Sequence, residues 1–275
     1  MQNLDIKATY INAGTNLYYF TGTKWNASER MVGALLFADG SLEYIVPKFE
    51  DGTFKKYQKV EAPLNCWEEH ESPYALLGTL LKNRNITEGT IALDESAAYF
   101  LIDGVTKANP AYTFINAQPI TTGCRIQKSA NEIAIIQRAK DITMEVHRAV
   151  ARILRPGISV KEVTELINAA HIKAGATAGS YFCIVLFSDD SQYPHGVTVA
   201  QDLKENDIVL VDTGCQLEGY LSDITRTYVY GTPTERQREI WNLEKQTQQA
   251  AFDAAQIGAT CGSVDDAARK VLAAA

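Results

Sequence analysis

The segment from Ile208 to Gly231, IVLVDTGCQLEGYLSDITRTYVYG, leaves little choice of local structure. β-Branched and aromatic residues fill two runs and Gly219 stands near the bend between them, a pattern that predicts an antiparallel hairpin. With Leu217 and Glu218 at its tip, Asp212 on the first strand stands directly opposite Asp223 on the second. Facing side chains on paired strands are roughly 4.5–5.5 Å apart at Cβ, and like charges in that position repel. Two such carboxylates are tolerated when water or a cation lies between them, and a divalent metal held by oxygen donors is the economical explanation. The plainer alternative puts one aspartate in the turn and the other in solvent, since aspartate is depleted within strands but common at their ends.

A chain of 275 residues is long for one domain and suggests two. Its 46% hydrophobic content is enough for sizeable cores. A net charge of −7 and the absence of a basic stripe argue against non-specific nucleic-acid binding, because nothing is there to neutralise phosphates. No apolar run approaches the roughly 18 residues that cross a bilayer, and the N-terminus MQNLDIKATYINAG has no signal-peptide core, so no membrane association is expected. Five cysteines, at 66, 124, 183, 215 and 261, are an odd and scattered set that forms neither a disulfide framework nor a zinc knuckle. A reduced, cytoplasmic location is expected.

The first part, residues 1–124, reads as an α/β domain. Asp39-Gly40 joins the apolar runs 32–37 and 42–46 into a hairpin, Ser72-Pro73 introduces a helix over 74–81, and 90–93 and 112–116 read as strands. PITTGCRIQ, residues 119–127, carries turn residues and marks the boundary. The second part, 125–275, opens on a long helix capped by Ser129 and Glu132, with Ile135, Ala139, Ile142, Val146, Val150 and Ile153 at helical spacing. Pro156-Gly157 stops it. Ser159 with Glu162 caps a second helix running to about Ala174, 180–187 reads as a strand, and Thr234 with Gln237 opens a third helix. A last helix, with Ser263 and Asp266 at its start, carries the stripe Val264, Ala267, Ala268, Val271 and Leu272, which needs something to pack against.

Several strings in this order resemble the creatinase, prolidase and aminopeptidase P family of pita-bread metallopeptidases. They are VDTG and GYLSDITRT around the two aspartates, Pro194-His195-Gly196 upstream, and Leu154 to Ser159 (LRPGIS). Tyr19-Phe20-Thr21-Gly22 and the run IQKSANEIAIIQRA from Ile126 to Ala139 add to them. The resemblance implies an α/β N-terminal creatinase-type domain followed by an α+β pita-bread domain that is incomplete here, with one histidine and two glutamates of the ligand set falling beyond residue 275. It implies hydrolysis of peptides with proline after the scissile bond in the intact enzyme, with the 275-residue chain as given expected to be an inactive fragment, and a homodimer. Two divalent ions are implied, one held by Asp212 and both bridged by Asp223 together with a later glutamate. An oxygen-rich set with one histidine favours Mn²⁺, with Co²⁺ or Zn²⁺ as alternatives. The resemblance gives His195 contact with the substrate rather than a metal, a role that suits an imidazole able to donate a hydrogen bond near neutral pH.

His147 and His171 on helices, and His70 in the acidic EEHE loop, lie in no motif and read as structural or solvated. Cys215 has no predictable base beside it, and Arg226, on the strand face opposite the aspartates, reads as a structural ion pair. Three other functions share the fold. A creatinase-like amidinohydrolase lacks the metal carboxylates, which are present here. Methionine aminopeptidase lacks the separate N-terminal domain. A non-catalytic binding module has no need of intact VDTG, SDITRT and PHG.

Overall fold

A computed structural model of the chain describes residues 1–197 and 200–275, which fall into two compact units, 1–129 and 130–275. The first unit runs β1 (Ile6–Asn12), α1 (Thr15–Thr21), β2 (Gly33–Phe37), β3 (Leu42–Pro47), α2 (Asp51–Tyr57), β4 (Leu64–Trp67), α3 (Pro73–Asn83), β5 (Gly89–Leu93), α4 (Tyr99–Ala108), β6 (Tyr112–Asn116) and α5 (Gln118–Arg125). Its strands form one mixed sheet in the order β4-β3-β2-β1-β5-β6. Successive residues of the central strands enter different cores. Tyr10, Leu35 and Ile45 pack with Leu77 and Leu81 of α3, whereas Ile11, Ala34 and Tyr44 pack with Leu17 of α1 and Phe54 of α2. Burial of both faces explains why these strands read as continuous apolar runs rather than alternating ones.

The Asp39-Gly40 hairpin forms, with Gly40 at φ +86° and the Asp39 carboxylate accepting from the Ser41 backbone N–H at 2.8 Å. The 119–127 stretch is not a turn. Its residues up to Arg125 belong to α5, where the proline in the first turn has no N–H to lose and Asn116 Oδ1 accepts from Gln118 N at 2.7 Å. Burial of Ile120 and Thr121 secures this helix against its glycine and threonines.

The second unit runs α6 (Ala130–Ile153), α7 (Val160–Lys173), β7 (Ser180–Phe187), β8 (Ile208–Leu217), β9 (Tyr220–Leu221), β10 (Ile224–Val229), α8 (Glu235–Ala254) and α9 (Cys261–Ala273). Strands β10, β8 and β7 lie side by side and antiparallel, and β9 continues the pairing with β8. Val185, Phe187, Val209 and Val211 project onto Val146 and Val150 of α6 and Val163 and Ile167 of α7. Because side chains alternate along a strand, Asp212, Leu210 and Ile184 take the other face. Reciprocal caps at Ser159 with Glu162 and at Thr234 with Gln237 start α7 and α8, each satisfying otherwise unpaired backbone donors. Helix α9 begins earlier than its sequence suggests, since the Thr260 hydroxyl, not Ser263, caps it by accepting from Ser263 N at 3.1 Å. Its apolar stripe turns back onto α8 and is half-buried there, with only Leu272 left exposed.

Two polar residues interrupt the apolar face of these helices. His147 Nε2 donates to the Ile224 carbonyl at 2.9 Å, and His171 lies between the Thr143 and Ser180 hydroxyls at 3.1 and 3.0 Å. Burial holds both imidazoles below the ordinary histidine pKa, and the neighbouring His147 lowers His171 further. The unfolded chain therefore binds more protons than the folded one once the pH falls below about 6.5. Stability of the second unit is present above that pH and is lost as the pH falls through it. Thermal unfolding followed at pH 7.5 and 5.5 should show a lower midpoint at 5.5, with a smaller difference in His171→Gln; an unchanged or higher midpoint at 5.5 contradicts this.

Candidate metal centre

The hairpin forms, and its turn falls one residue later than the sequence suggests. Leu217 pairs with Tyr220, so Glu218 and Gly219 make the bend, at φ +48° and +85°. A two-residue hairpin turn with both central residues in the left-handed region matches strand twist, and Gly219 takes the second of those positions at no steric cost. A tip at Leu217 and Glu218 would force a leucine into that conformation. The consequence is a register shift of two residues. Asp212 faces Thr225, not Asp223.

An even shift leaves each side chain on its original face. Asp212 and Asp223 thus remain on the same side of the sheet as diagonal neighbours, a separation of up to roughly 7–8 Å rather than 5 Å. Their proximity has an electrostatic signature. Although Asp223 is exposed, its carboxyl is held above the usual carboxylate range by desolvation and then by the charge of Asp212. Asp212 itself is half-buried, and its Oδ1 is shut away from solvent with no hydrogen-bond partner among the described residues. A buried carboxylate oxygen without a donor is costly, so the arrangement lacks a positive or donating group at that atom. Hard oxygen donors of like charge, one of them orphaned, suit a divalent cation. Among the described residues no third histidine, cysteine, aspartate or glutamate joins them to complete a cage.

His195 is exposed on a turn closed by the Gly196 N–H to the Tyr193 carbonyl at 3.0 Å, and it makes no hydrogen bond or ion pair of its own among the described residues. Gly196 lies close above β7, where an added Cβ would come within 3.3 Å of Ile184 Cγ2. Ile184 is the direct cross-strand partner of Asp212, so the His195 turn lies over the face that carries the aspartates. Arg226 occupies the opposite face, as its position on the strand requires, but it has no carboxylate partner among the described residues. Its guanidinium reaches Met144 Sδ and the Thr225 carbonyl instead. Cys215 is fully buried against Ala139 and Ile142, which leaves no path for a nucleophile.

The polar groups beneath the hairpin are less apparent in the sequence. Thr143 and His147 sit four residues apart on α6, in the same stripe as Ala139 and Val150, and so face the strands. Polar side chains at core-facing helical positions are the signal that would have found them.

The N-terminal 127 residues match the creatinase/prolidase N-terminal domain, and residues 134–275 match metallopeptidase family M24. The chain belongs to the M24 family. It is 31% identical over 269 residues to the putative dipeptidase YkvY of Bacillus subtilis, covering 96% of this chain and 73% of that protein. It is 28% identical over 273 residues to the Xaa-Pro dipeptidase of Pyrococcus furiosus, covering 99% and 74%. The crystal structure of dipeptidase PepE from Mycobacterium ulcerans superposes with a TM-score of 0.89 at 27% identity, over 99% of this chain and 73% of that one. The second unit therefore has the pita-bread architecture of a metallopeptidase, and the family uses divalent metal ions. No helix among the described residues is long and apolar enough to cross a membrane.

Repulsion between the two carboxylates should cost the second unit stability in the absence of metal. Asp212→Asn should raise the metal-free unfolding free energy of the second unit by up to about 1 kcal/mol, the range for relieving a like-charge pair on neighbouring strands. It should also abolish any rise in unfolding midpoint that Mn²⁺ gives the parent chain. A variant that is less stable without metal, or that keeps the full Mn²⁺ response, contradicts this placement of charge.

Proposed function

We propose that the chain is a metal-dependent peptidase acting on peptides with proline after the scissile bond, with Asp212 and Asp223 as carboxylate ligands and His195 as a substrate-facing group. The observation that carries the reading is the pair of carboxylates on one side of the hairpin, Asp212 on β8 and Asp223 between β9 and β10, one with a buried oxygen unpartnered among the described residues, in a chain of the M24 family. The substrate class is supported by the related Xaa-Pro dipeptidase of Pyrococcus furiosus.

Asp212 enters this site from a strand fixed on both edges by β7 and β10, so its carboxylate is held by backbone rather than by a mobile loop. Asp223 extends from the break between β9 and β10, where neither side of the ladder constrains it. A bound divalent pair supplies Lewis acidity toward the scissile carbonyl and makes water a nucleophile at neutral pH. The carboxylates supply the negative charge that retains such ions, and their all-oxygen character favours Mn²⁺ over thiolate-seeking metals. His195, exposed above the same face and unpaired among the described residues, can donate a hydrogen bond or a proton to a substrate oxygen. Five cysteines free of disulfides support a reducing, cytoplasmic setting. A homodimer completes the proposal, on the strength of the resemblance, and light scattering tests it.

The two residue classes separate in a single experiment on the intact enzyme with Mn²⁺ and an Xaa-Pro dipeptide. Asp223→Asn should lose metal and turnover together. His195→Ala should retain metal while turnover falls by about 10²-fold or more, as for loss of a general acid or oxyanion donor. Equal metal loss in both variants, or unchanged turnover in His195→Ala, contradicts the assignment.

A further inference from the structure

The ladder between β8 and its partners keeps one register on both sides of Ser222 and Asp223. Leu217 and Gln216 pair with Tyr220 and Leu221 before the break, and Thr213 and Asp212 pair with Ile224 and Thr225 after it. No residue is inserted, yet the strand is interrupted. The reason lies in one exchanged hydrogen bond. Ser222 N donates to the Cys215 carbonyl at 2.9 Å, as an antiparallel pair of this type requires. The return bond from Cys215 N goes to the Ser222 side-chain Oγ at 2.8 Å, in place of the Ser222 carbonyl. That carbonyl is pressed instead against Gly214, where an added Cβ would lie 1.8 Å from it. Only a glycine leaves room for this rotation.

A hydroxyl that replaces a ladder carbonyl must itself be held in place. Ser222 Oγ is buried and meets Thr143 Oγ1 of α6 at 2.7 Å. Thr143, fully buried, meets His171 Nε2 of α7 at 3.1 Å, and His171 Nδ1 meets the Ser180 hydroxyl at the start of β7 at 3.0 Å. One proton order satisfies the whole chain. Cys215 N–H donates to Ser222, Ser222 to Thr143, Thr143 to His171 Nε2, and His171 Nδ1–H to Ser180. A fully satisfied buried network of this kind is stiff, because breaking any member leaves another unpaired in a low dielectric.

We propose that Thr143 and His171 are positioning residues for Asp223: through Ser222 they lock the break in the strand from which the Asp223 carboxylate reaches toward Asp212. This rests on the reading of the two aspartates as metal ligands. Without the Thr143 hydroxyl, Ser222 loses its anchor, its carbonyl can return to the ladder, and the backbone carrying Asp223 rotates with it. The network thus fixes the spacing of two carboxylates that repel each other and would otherwise separate.

The test compares Mn²⁺ affinity, read by water-proton relaxation so that weak binding is captured, with thermal midpoint in variants of the full chain. Thr143→Val keeps the shape and removes the hydroxyl, and should weaken Mn²⁺ binding about ten-fold or more, the scale for losing a partner that orients a metal ligand. Ser222→Ala should show the same loss and carries the test if Thr143→Val does not fold. Thr143→Ser should restore the parent affinity. Val150→Ala, a cavity in the same helix away from the network, should lower the midpoint and leave affinity unchanged. If Asp223→Asn weakens Mn²⁺ but Thr143→Val and Ser222→Ala bind it within about two-fold of the parent, a difference below the ten-fold scale, the positioning role is overturned while the metal reading stands. If Val150→Ala loses as much affinity as Thr143→Val, the network is only structural and the inference fails. If Asp223→Asn binds Mn²⁺ as the parent does, the metal reading fails and the inference with it.

Discussion

The second unit is organised around an electrostatic conflict. Asp212 and Asp223 lie on one face of an antiparallel pair, where like charges repel and where one carboxylate oxygen is buried with no donor among the described residues. A fold under no functional constraint relieves such a pair by moving one side chain into water or replacing it with a threonine. Here the backbone prevents that escape for Asp212, since β8 is hydrogen-bonded along both edges and its opposite face is packed by Val209 and Val211 against two helices. The stability lost at the carboxylates is offset by burial behind them. Fully burying one valine or leucine side chain contributes roughly 1.5–3 kcal/mol, several times the cost of a like-charge neighbour.

The same division of labour links core to site. One face of the four-stranded sheet packs on the helices and fixes position; the other carries the two aspartates. Helix α6 serves both, giving Val146 and Val150 to the core, Thr143 to the Ser222 hydroxyl at the break and His147 to the Ile224 carbonyl. Strand geometry thereby places Asp212, whereas a buried polar network holds the residue next to Asp223. Two carboxylates on differently supported backbones thus give one rigidly held side chain and one whose placement depends on hydrogen bonds.

Much of this was legible in the sequence where a local rule dominates. The caps at Ser159 and Thr234, the Asp39-Gly40 turn and the strand 180–187 depend on neighbouring residues and form where the pattern puts them. The face shared by Asp212 and Asp223 was legible too, because it depends only on parity. Register was not, since it turned on whether Leu217 or Gly219 enters the left-handed region. Residues 119–125 read as a linker because glycine and threonines weaken helix propensity, and burial of Ile120 overrides that preference. The Thr143–His171–Ser222 chain joins residues far apart in sequence, and single-sequence patterns carry no signal for such contacts. Arg226 lies on the face its strand position dictates, but the ion pair its sequence suggests needs a partner that only tertiary structure can supply.

The central claim is that the two aspartates converge on a divalent cation despite their diagonal register. Crystals of the full chain grown with Mn²⁺ and measured at the manganese absorption edge test it directly. The account predicts an anomalous peak within coordination distance, about 2.0–2.4 Å, of carboxylate oxygens from both Asp212 and Asp223, with Asp212 Oδ1 among the ligands. A peak bound elsewhere, or one held by Asp212 while Asp223 points into solvent, contradicts it.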